Sequence, residues 1–78
     1  MTTSTRELWR QVDALEAAYA RLLDRRNAVW QQMTAHRLAG AERQARRVES
    51  DLHLLDGQGL ALAARIADLC AAAGNFGS

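Results

Sequence analysis

Arginine is the residue of this chain whose position most directly implies a ligand. All ten basic side chains are arginines, and Arg26 stands in a regularly spaced series of apolar residues. An unpaired charge out of water is very costly, so an arginine at that position needs an anionic partner. If the chain folds back at Gly40, no acid lies directly opposite Arg26: Glu49 is a turn away and Asp56 is further. Arg26 therefore either extends its head group outward past the apolar residues or binds an anion.

The other candidate residues indicate neither a metal site nor a catalytic centre. His36 and His53 fall on different helix faces with no third ligand near either, so no metal site is expected. Cys70 is interpreted as a small apolar side chain that fills space beside the apolar residues, and a single cysteine allows no intrachain disulfide. Neither a nucleophile–base pair nor a glycine-rich phosphate loop is visible, and no cofactor is expected.

Two apolar series predict the helices that position these residues. In each series the spacing alternates between four and three residues, which places one apolar stripe on each of two helices. We call the two stripes together the seam. They consist of Leu8, Val12, Leu15, Tyr19, Leu22, Arg26, Val29, Met33 and His36 in the first half, and of Ala41, Ala45, Val48, Leu52, Leu55, Gly59, Leu62, Ile66, Leu69 and Ala73 in the second. The expected fold is all-α, an antiparallel hairpin of two long helices in a single domain.

The two stripes mirror each other about Gly40. Facing residues have numbers that sum to 77 or 78, so that Met33 faces Ala45 and Tyr19 faces Gly59. Large side chains opposite small ones fill an interface without voids. The pairing therefore predicts the register of the hairpin as well as its topology.

Local signals set the limits of the first helix. Ser4 and Glu7 fit a capping box, in which each side chain bonds a backbone amide near the other residue. No helix breaker follows until Gly40, whose left-handed conformation ends helices. The sequence predicts a helix over 5–38 and a turn over 39–41.

The second helix is predicted over 41–73, followed by a tail at 74–78. The segment 56–59 reads Asp-Gly-Gln-Gly, and glycine inside a helix costs about 1 kcal/mol relative to alanine. A tight turn at 56–59 that breaks the second helix is therefore the alternative to one continuous helix.

Charge is unevenly placed along the chain. Residues 21–47 carry a net charge of +5 and the remainder −4, so a hairpin has a basic turn end and an acidic open end, where both termini lie. Such a dipole steers an acidic partner or favours antiparallel self-association. No aromatic residue is interleaved among the arginines nearest the turn, and two glutamates flank them, so no nucleic-acid partner is expected. Those arginines are Arg37, Arg43, Arg46 and Arg47.

Tryptophans lie just outside the seam and predict a second packing surface. Trp9, Leu23 and Trp30 share one heptad position there, and an isolated two-helix hairpin is marginally stable. We expect either a homodimer that forms a four-helix bundle or a protein partner that covers this stripe. A monomer in which the tryptophans close over the core is the alternative. Off the second stripe lie Leu54, Leu60 and Ala61.

The first helix resembles the long first helix of the all-helical chorismate mutases. The resemblance is carried by Leu8 to Glu16, by Leu22 to Arg26, by Val29, and by Met33 through Arg37. That family's order of one long and two shorter helices also suits a turn at 56–59.

The resemblance implies a mutase-like enzyme that binds a small dicarboxylate in a dimeric helical bundle. Its substrate contacts would be Arg26, Arg37 and Arg47. Trp9, Gln44 and Val48 stand where the family has an arginine, an acid and a catalytic glutamate.

These observations favour a non-enzymatic protein–protein interaction module, with the mutase-like isomerase as the alternative. The chain resembles, in size and architecture, the compact helical chaperones of bacterial secretion and flagellar systems; an adaptor or assembly factor is equally compatible. No apolar run approaches the roughly 18 residues of a membrane span, and the N-terminus lacks the regions of a signal peptide. We expect a cytoplasmic protein with no membrane partner. The predicted partner-binding residues are Trp9, Leu23, Trp30, Arg37, Arg43, Arg46 and Arg47.

Overall fold

The protein is a helical hairpin, as predicted. The computed structural model describes residues 4–75, which form two helices, α1 (Thr5–Leu38) and α2 (Glu42–Asn75), packed against each other along their length. The hairpin is a rod of 56 × 19 × 15 Å. Within residues 4–75 no helix is long and apolar enough to cross a membrane.

Ser4 is the N-cap of α1, as the sequence predicts. Its backbone is extended, and its hydroxyl accepts a hydrogen bond from the Glu7 backbone amide at 3.1 Å, which satisfies one of the free amides of the first turn. The Glu7 carboxylate lies 3.6 Å from the guanidinium of Arg10 instead of reaching back to Ser4.

Gly40 ends α1 and reverses the chain. Its φ of +74° is left-handed, a conformation that glycine adopts without steric cost. The Ala41 amide donates to the His36 carbonyl at 2.8 Å and the Gly40 amide to the Arg37 carbonyl at 3.1 Å. This is a Schellman motif, and it lets α2 begin at Glu42 after a three-residue connection.

The seam forms the core. Among residues 4–74, every buried residue belongs to the two predicted stripes, and none of these buried residues is polar. They are Leu8, Val12, Met33, Ala45, Leu52, Leu55 and Ala73. Met33, Ala45 and Leu52 form one cluster, with Val29 and Val48 packed against it, so Met33 and Ala45 meet as expected.

Helix α2 is continuous through Asp56–Gly59, so the alternative break there does not occur. It begins one residue later than predicted and ends two residues later, at Asn75. The remaining predicted tail, 76–78, lies outside the described residues.

Gly57 and Gly59 differ in what surrounds them. A Cβ added to Gly57 would meet no atom within 4 Å, whereas one added to Gly59 would lie 3.4 Å from Leu22 Cδ2 and 3.8 Å from Tyr19 Cε2. The facing of Tyr19 with Gly59 is thus confirmed. A methyl group fits there at ordinary contact distance, so packing at this position excludes only larger side chains.

Gly57→Ala is predicted to stabilise the hairpin by about 1 kcal/mol, because alanine loses less backbone entropy in a helix. Gly59→Ala is predicted to stabilise it by a similar or smaller amount. Urea unfolding followed by circular dichroism at 222 nm measures both. Gly40→Ala is the control and is expected to destabilise, since alanine is strained at its positive φ. A loss of stability in Gly57→Ala would show that the segment is not helical.

Candidate protein-interaction face

The two sides of the seam differ in chemistry. On one side α1 presents its two tryptophans, and the groove between the helices is lined by Leu23, Leu60 and Ala63. We call Trp9, Leu23 and Trp30 of α1, together with Leu60 and Ala63 of α2, the tryptophan face. On the opposite side the groove is lined by Arg25, Asp51, Leu54 and Gln58, besides two seam residues.

The tryptophan face exposes large apolar side chains. Trp9, Leu23 and Trp30 are 46%, 45% and 47% exposed, and Leu60 is 74% exposed. All three α1 residues share one heptad position directly after a seam residue, and because the seam faces α2 along α1 they remain on one side of the rod. The expected second packing surface is therefore present as an exposed stripe.

A groove of about 390 Å³ runs across the middle of this face. Its floor is formed by Tyr19, Leu22, Leu55 and Gly59, where the absence of a side chain at Gly59 leaves the helices locally uncovered. A second hollow adjoins it toward the open end, where the helix termini lie. It is lined by Glu16, Tyr19, Ala63, Ile66 and Ala67. Together they form a long concave apolar strip.

Arg26 and Asp56 form an ion pair on the wall of the groove. The Arg26 Nε donates to Asp56 Oδ1 across the two helices, and both side chains are about two-fifths exposed. The hydrogen bond and the negative charge of Asp56 raise the pKa of Arg26. The partner of Arg26 is therefore Asp56, the acid further from its level, and not Glu49. Arg26 leaves the seam toward the tryptophan face and finds its anion in its own chain.

Glu49 pairs with Arg37, at 3.3 Å between Arg37 Nη2 and Glu49 Oε2. The two acids of α2 that lie near Arg26 therefore have different partners. Asp56 pairs with Arg26, and Glu49 pairs with Arg37.

The turn end is basic, but the open end is not strongly acidic. Folding places Glu49, Asp51 and Asp56 level with residues 22–29 of α1, in the middle of the rod, because α2 runs back along α1. The open end then carries nearly equal numbers of acids and arginines, so the expectation of an acidic open end is wrong. Beside the turn, four exposed arginines stand against one exposed glutamate, Glu42. These arginines are Arg37, Arg43, Arg46 and Arg47.

The three arginines of the mutase-like alternative do not converge in the hairpin. Arg26 and Arg37 are eleven residues apart on α1, or about 16 Å along the axis at 1.5 Å per residue, and each is paired with an acid of the same chain. Arg47 is exposed on α2 close to the turn. No dicarboxylate site is therefore built from these three residues within one hairpin.

The remaining chemical candidates stay apart. His36 is half-buried beside the turn, His53 is exposed, and Cys70 is half-buried near the end of α2. Among residues 4–75, no group of three or more histidines, cysteines or acids is placed to hold a metal ion.

Comparisons with protein-family models, with curated proteins and with solved structures found no match to this chain.

Asp56→Asn is predicted to lower the free energy of unfolding more than Asp51→Asn does. Both changes remove one negative charge from α2, but only Asp56 neutralises a seam arginine. Because the pair is partly exposed, the difference is expected to shrink in 1 M NaCl as salt screens it. Urea unfolding at low and high salt measures it. Equal effects of the two variants at low salt would mean that the ion pair contributes nothing.

Proposed function

We propose that this protein is a non-enzymatic protein–protein interaction module that acts through the tryptophan face. The observation that carries the proposal is the exposed stripe of Trp9, Leu23, Trp30 and Leu60 beside an apolar groove. Tryptophan is the residue most enriched among those that dominate binding energy, and a concave apolar strip with a polar wall is the usual form of an interface core.

The elongated shape and the large exposed surface of the rod support a helical partner. A protein of this mass is expected to expose about 4,700 Å² when compact, whereas the hairpin exposes 5921 Å². Two helices laid along the tryptophan face would complete a four-helix bundle, in which each helix buries a wider stripe than in a hairpin. We propose the four-helix bundle as the bound form.

The roles compatible with this surface are those of a small adaptor, an assembly factor or a chaperone of the cytoplasm. In each role the arginines beside the turn lie outside the apolar stripe and set the orientation of the partner. The chorismate mutase resemblance stays a prediction, which turnover of chorismate by the purified protein tests.

A photo-cross-linking residue at position 60 is predicted to give protein adducts in the cells that make this protein, whereas one at position 54 is not. Leu54 is the matched control, because it is a similarly exposed leucine of α2, 68% against 74%, on the opposite groove. Denaturing electrophoresis after illumination measures the adducts. Equal yields at both positions, or none, would contradict the assignment of this face.

Trp9→Ala and Trp30→Ala are each predicted to weaken binding at the tryptophan face by at least about 30-fold, the range of interface residues that contribute about 2 kcal/mol or more. Helicity at 222 nm should be nearly unchanged, since both side chains are half exposed. The yield of the position-60 adduct reports binding, and Leu54→Ala should leave it unaltered. Normal adduct formation in the double tryptophan variant would remove these residues from the interface.

A further inference from the structure

We infer that the occupant of the tryptophan face is a second copy of this chain, arranged antiparallel so that α1 packs on α1 with the turns at opposite ends. The inference rests on the proposed function, because it names the partner of the same face. It follows from the order and spacing of residues along α1.

The two tryptophans of α1 are placed symmetrically about the groove. The heptad position that they share reads Trp9, Glu16, Leu23, Trp30 and Arg37, and the midpoint between the two tryptophans falls between residues 19 and 20, where Tyr19 faces Gly59. At 1.5 Å per residue, each tryptophan lies about 16 Å from this midpoint. A two-fold axis through the groove, perpendicular to the rod, brings Trp9 of each copy level with Trp30 of the other.

The same axis also brings side chains of the second copy to Leu60 of α2 and to the hollow beside Glu16. Leu60 lies so near the level of the axis that the two copies of Leu60 come within about 5 Å of each other along the rod. Leu23 of the second copy comes level with Glu16, beside the hollow lined by Tyr19 and Ala63. Leu60 thus meets its own copy, and Leu23 lies between Glu16 and the apolar hollow of the other copy.

Charge complementarity supports this arrangement. Glu16 is the one acid in the tryptophan series of α1, and the axis places Arg26 of the second copy level with residue 13, one helical turn from Glu16. Helical side chains lean toward the N-terminus of their own helix, so Glu16 and the second copy's Arg26 lean toward each other. Arg26 would then lie between Asp56 of its own chain and Glu16 of the other.

The alternative two-fold arrangement, with both turns at the same end, is unfavourable. It would place residues of α1 against the level residues of α2 in the other copy, so that Trp30 meets Glu49, Leu23 meets Asp56, and Glu16 meets Ala63. It would also bring the two arginine-rich turns together. The opposite-end arrangement separates the turns by about the 56 Å length of the rod.

The area of the face is sufficient for a stable dimer. One long side of the rod, 56 by 19 Å, offers roughly 1,000 Å², and a standard interface buries about 800 Å² per partner. An interface that maps onto itself under a two-fold axis is the commonest form of self-association.

Disulfide trapping of single-cysteine variants tests the arrangement, in a Cys70→Ala background that removes the native thiol. Leu60→Cys is expected to form disulfide-linked dimers with itself, whereas Leu54→Cys on the opposite side is not. A mixture of Glu16→Cys and Leu23→Cys chains is expected to form the mixed dimer. Each of these two alone should link poorly, because like residues are about 9–12 Å apart along the rod and a disulfide needs Cβ atoms about 4 Å apart.

Sedimentation equilibrium of the unmodified protein gives the companion measurement. A dimer mass is expected, and Glu16→Gln should raise its dissociation constant by about tenfold, the loss of one charge-assisted hydrogen bond across the interface. Asp24→Asn is the control, since it makes the same charge change on the outer side of α1 and should have no effect.

The possible failures are distinguishable. A dimer in which Glu16→Cys links to Ala63→Cys, and not to Leu23→Cys, would overturn the opposite-end arrangement while the interaction module stands. A monomer at all concentrations, with position-60 adducts of a different mass in cells, would overturn the second copy as partner but not the proposed function. A monomer without such adducts would overturn both.

Discussion

The rest of the structure depends on one constraint: two helices in contact bury only one stripe of each. Seven apolar residues are almost fully covered, and they all lie in the seam. The residues at the heptad positions beside the seam therefore border the core without being enclosed by it. Trp9 and Trp30 occupy such positions, so half of each side chain stays in water even though both helices pack along their full length.

The same constraint means that the charged group of Arg26, a seam residue, must extend to one side of the seam. Its position in the seam would hold leucine in a regular coiled coil, and its charge has to leave the seam on one side or the other. Asp56 borders the seam on the side of the tryptophan face, whereas Arg25 borders the opposite groove. The opposite groove also holds Asp51, but Arg26 pairs with Asp56, so its charge comes out at the groove of the tryptophan face and gives the wall of that groove a polar element.

The periodic part of the fold could be predicted from the sequence, because a seam of nineteen positions constrains both topology and register. The facing of Tyr19 with Gly59 followed from that register. The pairing of Arg26 with Asp56 did not, because counting levels ignores the direction of side chains. Both lean toward the N-terminus of their own helix, and in antiparallel helices these directions converge. Arg26 and Asp56 therefore meet although they are four residues out of register. Glu49 leans away from Arg26, toward Arg37.

The sequence predicts only that Leu54 and Leu60 lie off the seam. It does not predict that they lie on opposite sides of the rod. Six residues separate them, which in a helix of 3.6 residues per turn rotates one against the other by about 120°, enough to carry them across the seam. Counting heptad positions on both helices would have separated them.

The two helices contribute unequally to the symmetry of the tryptophan face. The position of α1 beside the seam carries Trp9 and Trp30, and reversal about the groove brings Trp9 of each copy level with Trp30 of the other. The matching position of α2 changes from acidic near the turn to small and apolar near the open end, reading Glu42, Glu49, Asp56, Ala63 and Cys70. Reversal of α2 brings unlike residues together, whereas reversal of α1 preserves the contact between tryptophans and sets Leu23 level with Glu16. A self-complementary interface on this rod is therefore centred on α1, and α2 contributes Leu60 where the two-fold axis passes.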